Sequence, residues 1–541
     1  MLLHLLTLAA LGPQPTAQSL LAAVPDDAYA LLHCNDVGAF RERLERNDWY
    51  RLLGSPQGEF WLSDFATGFG AATHSDTDQL WAVAQAIEGE IVLFDTGPVA
   101  GFVAHRPDRA DVLVHAMQDW MPKGAAAAQK RIELDGAIVN LVAWPDGRRA
   151  GHVAAFVDHP LALALYSGTD QEALMAAVTT GITSFGIKRN APLVVSYLAG
   201  GGGKSGGVEA FIDLTPFIDE AEEALRDSVD HFLPDPTDLL GLEKGTTVHA
   251  SFNAFPGTHL EGRATWNIPK DTLAARLADT FVPLSPTLTA DLAADTWGIY
   301  ALGWDLKRFY AIARAAFREA DRDLEELDAG IELAKSMGGV DPIQDVLGQL
   351  TGEFILSFHE PLPTPESSPD FWFRQLMLLG FRAGLLDGDR FQLALEELFG
   401  VAGFDQHLQL QDIAGAEAYM LPDEDELGAI DGGLAFLPHH FSFALTRHVL
   451  VSQLNALART PDASLDPGSL TAAAIGENLD ACFFFCIEMT PLRAYFLRDL
   501  DPEWRLPPLE EGEPARDPFD AQFISSIRRT AGGFELRIET R

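Results

Sequence analysis

Cysteine is nearly absent: Cys34, Cys482 and Cys486 are all that 541 residues carry, too few for disulfides to frame the fold. Cys482 and Cys486 stand four apart in "ACFFFCIEM", a strand-like run that would set them on one face roughly 13 Å apart, beyond bridging range. Either could pair with Cys34, or all three could be buried thiols. Basic residues are also scarce, 38 Lys and Arg against 79 Asp and Glu, a formal net charge of −41. A surface this negative repels phosphate backbones and anionic lipid, which excludes nucleic acid as a partner and electrostatic docking to membranes. It favours solubility and suits a medium rich in salt or divalent cations. Long apolar runs are missing as well, so no transmembrane span is expected in the mature chain. Catalytic and metal motifs are no more evident. No His-Glu-x-x-His and no paired Cys-x-x-Cys occurs among the residues, and Gly203-Lys204-Ser205-Gly206-Gly207, which matches Gly-x-Ser-x-Gly in letters, leads into a β-compatible run and not into the helix of a nucleophile elbow, so no catalytic residue, metal ligand or cofactor is assigned. His33 and Cys34 are adjacent in a strand-like run and would face opposite sides of it.

The composition is that of an ordinary globular protein, 47% hydrophobic and 22% charged, which argues against disorder along most of the chain. Length alone suggests two to four domains. The opening "MLLHLLTLAALGPQPTAQS" gives an apolar run from Leu2 to Leu11, then Gly12, two prolines and the small residues Ala17 and Ser19. This resembles a secretory signal peptide over residues 1–19, although the n-region has no Lys or Arg. An apolar first helix of a cytoplasmic protein is the competing reading. His33-Cys34 is unsuited to lipoprotein cleavage, because a bulky His precedes the Cys.

One stretch looks like a motif. "LVVSYLAGGGGKSGGVEAFIDLTPF", Leu193 to Phe217, is a strand-like apolar run followed by glycines and Gly203-Lys204-Ser205. A phosphate loop needs Gly five residues before that Gly-Lys-Ser and a helix after it; position 198 is Leu, and Val208 to Leu214 is β-compatible. A glycine-rich turn between two strands is the expectation.

Repetition over a long period is the most informative pattern. "PDDAYALLHCNDVGAFRERL" can be set beside "AADTWGIYALGWDLKRFYAI", matching Asp26 with Asp295, Asp36 with Asp305 and Phe40 with Phe309. "EGEIVLF" answers "TGEFILSF", and "GFVAHRPDRADVLVHAM" answers "GFRAGLLDGDRFQLALEEL". "HVAAFVDHPLALAL" answers "GLAFLPHHFSFAL", and "VEAFIDLTPFI" answers "FFFCIEMTPLRA". Five matches in order argue for two copies, residues 20–269 and 288–541, joined by a linker at 270–287. In the second copy "IGENLDAC" stands where Gly200 to Gly207 stand in the first, which further weakens a phosphate-binding role. Each copy reads as neighbouring strands with helices between them. Helices are expected near Val37–Leu53 and Arg109–Trp120, and strands near Leu80–Ala86 and Ile138–Ala143. At the end of the first copy, Val248, Ala250, Phe252 and Ala254 alternate with polar residues up to a Pro256-Gly257 turn. The expected fold class is α+β: two tandem copies of a unit of antiparallel sheet covered by helices.

Among fifteen scattered histidines, His439-His440 is the only adjacent pair, and its counterpart is Asp158-His159. Both copies therefore put histidine at a turn before an apolar strand. His159, His439 and His440 are the weak binding candidates, for metal or proton transfer, against a plain polar-turn role. "DEDELGAIDGG" from Asp423 resembles a calcium loop, but Leu427 and Leu434 stand where ligands belong. The ten tryptophans could form a sugar platform, although Trp266 and Trp297 sit on apolar strand faces.

The phrases "VPDDAYALLHCND" and "GVDPIQDVLGQLTGEFILSF", with the overall length, resemble secreted bacterial proteins grouped as domain of unknown function 3352. The resemblance implies an exported protein and carries no catalytic motif across. The expected function is that of an extracytoplasmic binding or scaffolding protein of the bacterial envelope, periplasmic or secreted, with another envelope protein as partner. The alternatives are an exported hydrolase with an unrecognised site and a small-ligand carrier.

Overall fold

A computed structural model describes residues 19–53, 87, 89–105, 130–143, 153–185, 190–204, 206–216, 245–319, 324–360, 378–402, 408–421, 431–460, 462–490, 506–508 and 515–541. The helix expected near Arg109–Trp120, the strand at Leu80–Ala86 and most of the acidic stretch from Asp423 lie outside these residues.

Ten strands come first in the chain: β1 (Ala30–Cys34), β2 (Ile91–Asp95), β3 (Val99–His105), β4 (Lys130–Leu134), β5 (Ala137–Ala143), β6 (Val153–Asp158), β7 (Ala162–Gly168), β8 (Val208–Asp213), β9 (Thr247–Ala254) and β10 (Leu260–Asn267). Antiparallel pairing runs β4-β5-β6-β7-β3-β2-β1-β8-β9. The next ten are β11 (Thr296–Gly303), β12 (Leu350–His359), β13 (Leu379–Leu385), β14 (Gln409–Ile413), β15 (Ala416–Met420), β16 (Gly433–Leu437), β17 (His440–Ala444), β18 (Ala481–Glu488), β19 (Gln522–Thr530) and β20 (Gly533–Thr540). Their antiparallel pairing runs β14-β15-β16-β17-β13-β12-β11-β18-β19-β20.

All twenty belong to one sheet. This corrects the expected fold class: the chain is one large antiparallel sheet, and not a clear pair of α+β units each with a sheet of its own. The physical reason is edge chemistry. A strand that closes one run of pairing leaves a row of unpaired N–H and C=O groups, and further pairing satisfies them.

Packing gathers the chain into two compact units, each drawn from separate stretches of sequence. The first holds Met1–Pro216, Thr247–Gly262 and Leu506–Arg516; the second holds Phe217–Thr246, Arg263–Arg505 and Asp517–Arg541. In the first unit, helix α1 (Val37–Glu45) starts at Asp36, whose carboxylate accepts from the Ala39 amide at 2.8 Å. Such a cap satisfies an otherwise orphaned donor. Helix α2 spans Asp48–Leu53, and α3, Gln171–Ser184, is capped by Asp170. Leu174, Val178 and Ile182 of α3 fall at helical spacing and lie in the same core as Leu31, Val92, Val103 and Tyr166 of the sheet.

Helix α4, Pro192–Ala199, corrects a second expectation: Leu193–Ala199 had read as a strand. Pro192 occupies the first helical turn, and Leu193, Val194 and Tyr197 are buried. The glycine stretch therefore joins a helix to a strand, with Gly201 and Gly203 at positive φ of 94° and 77°, conformations that glycine adopts without strain.

In the second unit, the 270–287 stretch includes helix α5 (Leu273–Ala278), capped by Thr272. Helices α6 (Leu306–Glu319), α7 (Glu325–Gly338), α8 (Gly388–Ala402), α9 (Arg447–Leu457) and α10 (Leu470–Glu477) follow. Ile299, Ile355, Phe484, Cys486 and Ile524 share a core with Leu288 and Leu292 and with Ala472 and Ile475 of α10. All three cysteines are buried free thiols.

Candidate functional site

The first unit encloses a chain of polar side chains in its apolar interior. Register sets it up: on the β1–β8 pair His33 stands opposite Glu209, and on the β8–β9 pair Phe211 stands opposite His249. His33, Glu209 and His249 thereby share a sheet face, since strand side chains alternate. Glu90 immediately precedes β2, and its carbonyl accepts from the His105 amide at the end of β3. Tyr197 comes from α4. His33 Nε2 lies 3.0 Å from Glu90 Oε1, and His33 Nδ1 lies 2.8 Å from the Tyr197 hydroxyl. Tyr197 donates to Glu209 Oε2 at 2.7 Å, and the Gly203 amide donates to both, at 2.7 Å to the hydroxyl and 2.8 Å to the carboxylate. His105 Nε2 closes one end, 3.5 Å from Glu90 Oε2, and His249 Nε2 the other, 3.4 Å from Glu209 Oε2. Glu90 also accepts from the Ser19 hydroxyl at 2.7 Å and the Leu20 amide at 2.9 Å.

Burial resists charge on Glu90, yet His105, His33, the Leu20 amide and the Ser19 hydroxyl together hold its carboxyl down to about 2. The same pair raises His105 above the ordinary imidazole value. Burial and the Glu209 carboxylate push the Tyr197 phenol far up, so Tyr197 acts as a neutral donor and not as a nucleophile. A sequence of carboxylate, imidazole, phenol and carboxylate can hold charge in the interior, fix the α4–β8 glycine turn and relay a proton. His33 and Glu209 are 2% and 3% exposed, and Glu90 is 7% exposed, so these groups face the protein and not a substrate.

A second cluster lies in the second unit, on the face of β12, β13 and β17 that meets α9. Arg382 is opposite Ser442, and Gly384 is opposite His440. Arg382, 4% exposed, donates to the Asp291 carbonyl at 2.5 Å and faces Glu353 Oε1 at 3.8 Å. Burial raises the Glu353 carboxyl and lowers the Arg382 guanidinium. Nearby, His359 bridges Ser357 Oγ at 2.8 Å and Asp295 Oδ1 at 3.0 Å, and Ser452 of α9 donates to Asp295 at 2.7 Å.

Two of the three sequence candidates lie in hairpin turns and the third opens a strand. His159 lies between β6 and β7, accepts the Leu161 amide at 3.2 Å and packs on Phe185 with ring centroids 4.9 Å apart. His439 lies in the turn between β16 and β17, its carbonyl accepting from the Leu385 amide at 2.8 Å. His440 begins β17, where burial and the Arg382 charge hold its imidazole down to about 4. His159 belongs to one unit and His439-His440 to the other. Trp297, 8% exposed, donates to the His359 carbonyl at 2.8 Å, whereas Trp266 is 38% exposed. Among the described residues no group of three or more His, Cys, Asp or Glu side chains is placed to hold a metal ion. An open cleft of about 600 Å³ in the second unit is lined by Ala290, Ala294, Arg459, Thr460 and Asp466 among others, and shares no lining residue with either polar cluster.

The depressed His440 gives a pH prediction with a definite sign. Its folded value of about 4 lies below the ordinary 6.5, so between them the unfolded chain binds more protons and stability falls as pH falls. Replacing His440 with Gln should flatten the loss of thermal midpoint between pH 6.5 and 4. His105, shifted upward, works in the opposite sense: its contribution is complete below the ordinary value and is lost as pH rises through its folded one. An H440Q profile parallel to wild type across that window would show that His440 is not the group responsible.

Comparison with known proteins gives little to build on. No family model matches the chain, and no curated protein matches it. Solved structures of a protein named TP0453 are similar in part: crystal form I at 9% identity and a TM-score of 0.25, covering 48% of this chain and 82% of that one. Crystal form IV matches at 7% identity and a TM-score of 0.26, covering 46% and 79%. Likeness at this level carries no argument about fold or function.

Proposed function

We propose that the chain is an exported, extracytoplasmic protein of the bacterial envelope that binds another envelope protein and does not catalyse a reaction on it. The observation that carries this reading is the sheet face opposite α9 and α10 in the second unit. There Tyr300, Phe358, Phe381, Phe443, Phe483 and Phe485 alternate with the buried positions of their strands, and Tyr300 and Phe443 remain 38% and 37% exposed. Clustered, partly exposed aromatics are the side chains that binding surfaces use as anchors. With 79 acidic against 38 basic residues in the chain, the fitting partner is a protein with an apolar patch rimmed by Lys and Arg. The sealed position of the His–Glu–Tyr chain favours this reading over a hydrolase, whose acid and base must reach a substrate.

A photoreactive residue in place of Tyr300 or Phe443, expressed in intact cells, should give a discrete protein adduct in the extracytoplasmic fraction. The same probe at Leu333, 56% exposed on α7, should give none. Chain retained in the cytoplasm, or equal labelling at all three positions, would overturn the proposal. Turnover of ester, peptide or glycoside substrates by the purified protein would favour the hydrolase reading. A rise in thermal midpoint with lipid alone would favour a small-ligand carrier.

A further inference from the structure

Among the described residues, burial changes sharply at the Ser19–Leu20 peptide bond. Ser19 is exposed, whereas Leu20, Leu21, Ala22 and Ala23 are buried and belong to the first unit's core. The Leu20 nitrogen lies 2.9 Å from Glu90 Oε2 in a buried contact, and Glu90 itself is 7% exposed. The sequence marks the same bond independently. Ala17 and Ser19 are small residues at the third and first positions before it, after an apolar run and the helix-breaking Gly12, Pro13 and Pro15. That pattern is the one an export peptidase reads.

We infer that the chain is cleaved between Ser19 and Leu20, and that the α-ammonium so released forms a buried ion pair with Glu90. The inference rests on the export reading above. Water adds across the Ser19–Leu20 amide under an export peptidase: the C–N bond breaks, Ser19 leaves as a carboxylate, and the Leu20 amine takes up a proton. Cleavage removes the Ser19 hydroxyl, which donates to Glu90 Oε1 and accepts from the Leu21 amide at 3.3 Å. The new ammonium carries three donors in place of one, held where the Leu20 amide already meets the carboxylate. A charge-assisted bond thus replaces a neutral one at a buried acceptor. Glu90 is shared with His33 and His105, so the new terminus becomes a member of the His–Glu–Tyr chain.

The test is made on the full chain expressed in a bacterium with its native amino terminus and recovered from the extracytoplasmic fraction. Intact mass and terminal sequencing should give Leu20 as the first residue. The exported protein is then compared with a chain starting at Leu20 whose α-amino group is acetylated, each with Glu90 and with Glu90→Gln. Acetylation should lower the thermal midpoint by a few degrees with Glu90 present and by much less with Glu90→Gln. Export with a first residue other than Leu20 would overturn this inference and leave the export reading standing. A Leu20 terminus whose acetylation costs the same in both backgrounds would overturn the ion pair. An uncleaved chain confined to the cytoplasm would overturn both.

Discussion

Replacing Glu90 with Leu should cost about 3–5 kcal/mol of stability, the range for breaking a buried ion pair by removing one partner. The shape is nearly kept, so the loss reports lost partners. His33 Nε2, on a residue 2% exposed, would face an isobutyl group 3.0 Å from where Oε1 had been. The Leu20 nitrogen and His105 lose the same acceptor. Glu90→Gln keeps an oxygen and should cost less, about 1–3 kcal/mol, because an amide cannot accept from so many donors at once. Tyr197→Phe should also fall near 1–3 kcal/mol: the Gly203 amide keeps Glu209, but His33 Nδ1 loses its only polar contact with α4. Urea denaturation curves of the three variants decide the order, and a Glu90→Leu loss below that of Tyr197→Phe would remove Glu90 from the centre of the network. Acid adds a second signature. With Glu90 held at about 2, against an ordinary value of 4.5, the folded state keeps its charge where the unfolded chain has bound a proton. Its contribution is complete above the ordinary value and is lost as pH falls toward 2, a loss that Glu90→Leu should not show.

What the sequence makes legible is local. Alternation marks β9, the apolar runs mark β6, β8 and β12, and the Asp36 cap marks α1. His33 in "ALLHC" and Glu209 in "VEAFID" are polar residues inside apolar strand runs, and a buried polar group in such a setting requires a partner. That signal was available; the identity of the partners was not. Tyr197 is 164 residues from His33 along the chain, and Glu90 is 57 away, so only strand pairing brings them together. Adjacency in sequence points to His439-His440, and correspondence between the copies to His159, whereas the network is built from register between strands and from one helix side chain. Helix α4 was misread because Leu193-Val194-Val195 favours a strand by side-chain branching, and tertiary burial of Tyr197 with Leu193 and Val194 overrides that preference. The single sheet was illegible for a related reason. Alternation states which face of a strand is apolar but never which strand lies beside it.

Arg382 is where the second large effect should appear. The residue is 4% exposed, its guanidinium held by the Asp291 carbonyl and facing Glu353 at 3.8 Å. Arg382→Met fills similar volume and leaves Glu353 without its compensating charge, so it should cost about 3 kcal/mol at neutral pH. Glu353 already has a raised carboxyl because burial outweighs the attraction of Arg382; without the arginine it rises further, and the folded variant favours the protonated acid. His440 moves in the same direction, since the Arg382 charge is one cause of its low value. The folded variant thus binds more protons than the folded wild type, and the gap between them should narrow as pH falls from 7 toward 5. Glu353→Gln in the Arg382→Met background removes the uncompensated charge altogether. The double variant should recover to within about 1 kcal/mol of wild type, a coupling of roughly 2 kcal/mol between the two sites. Additive losses, or a gap that widens in acid, would mean that Arg382 stabilises the second unit through its packing and its bond to Asp291 and not through Glu353.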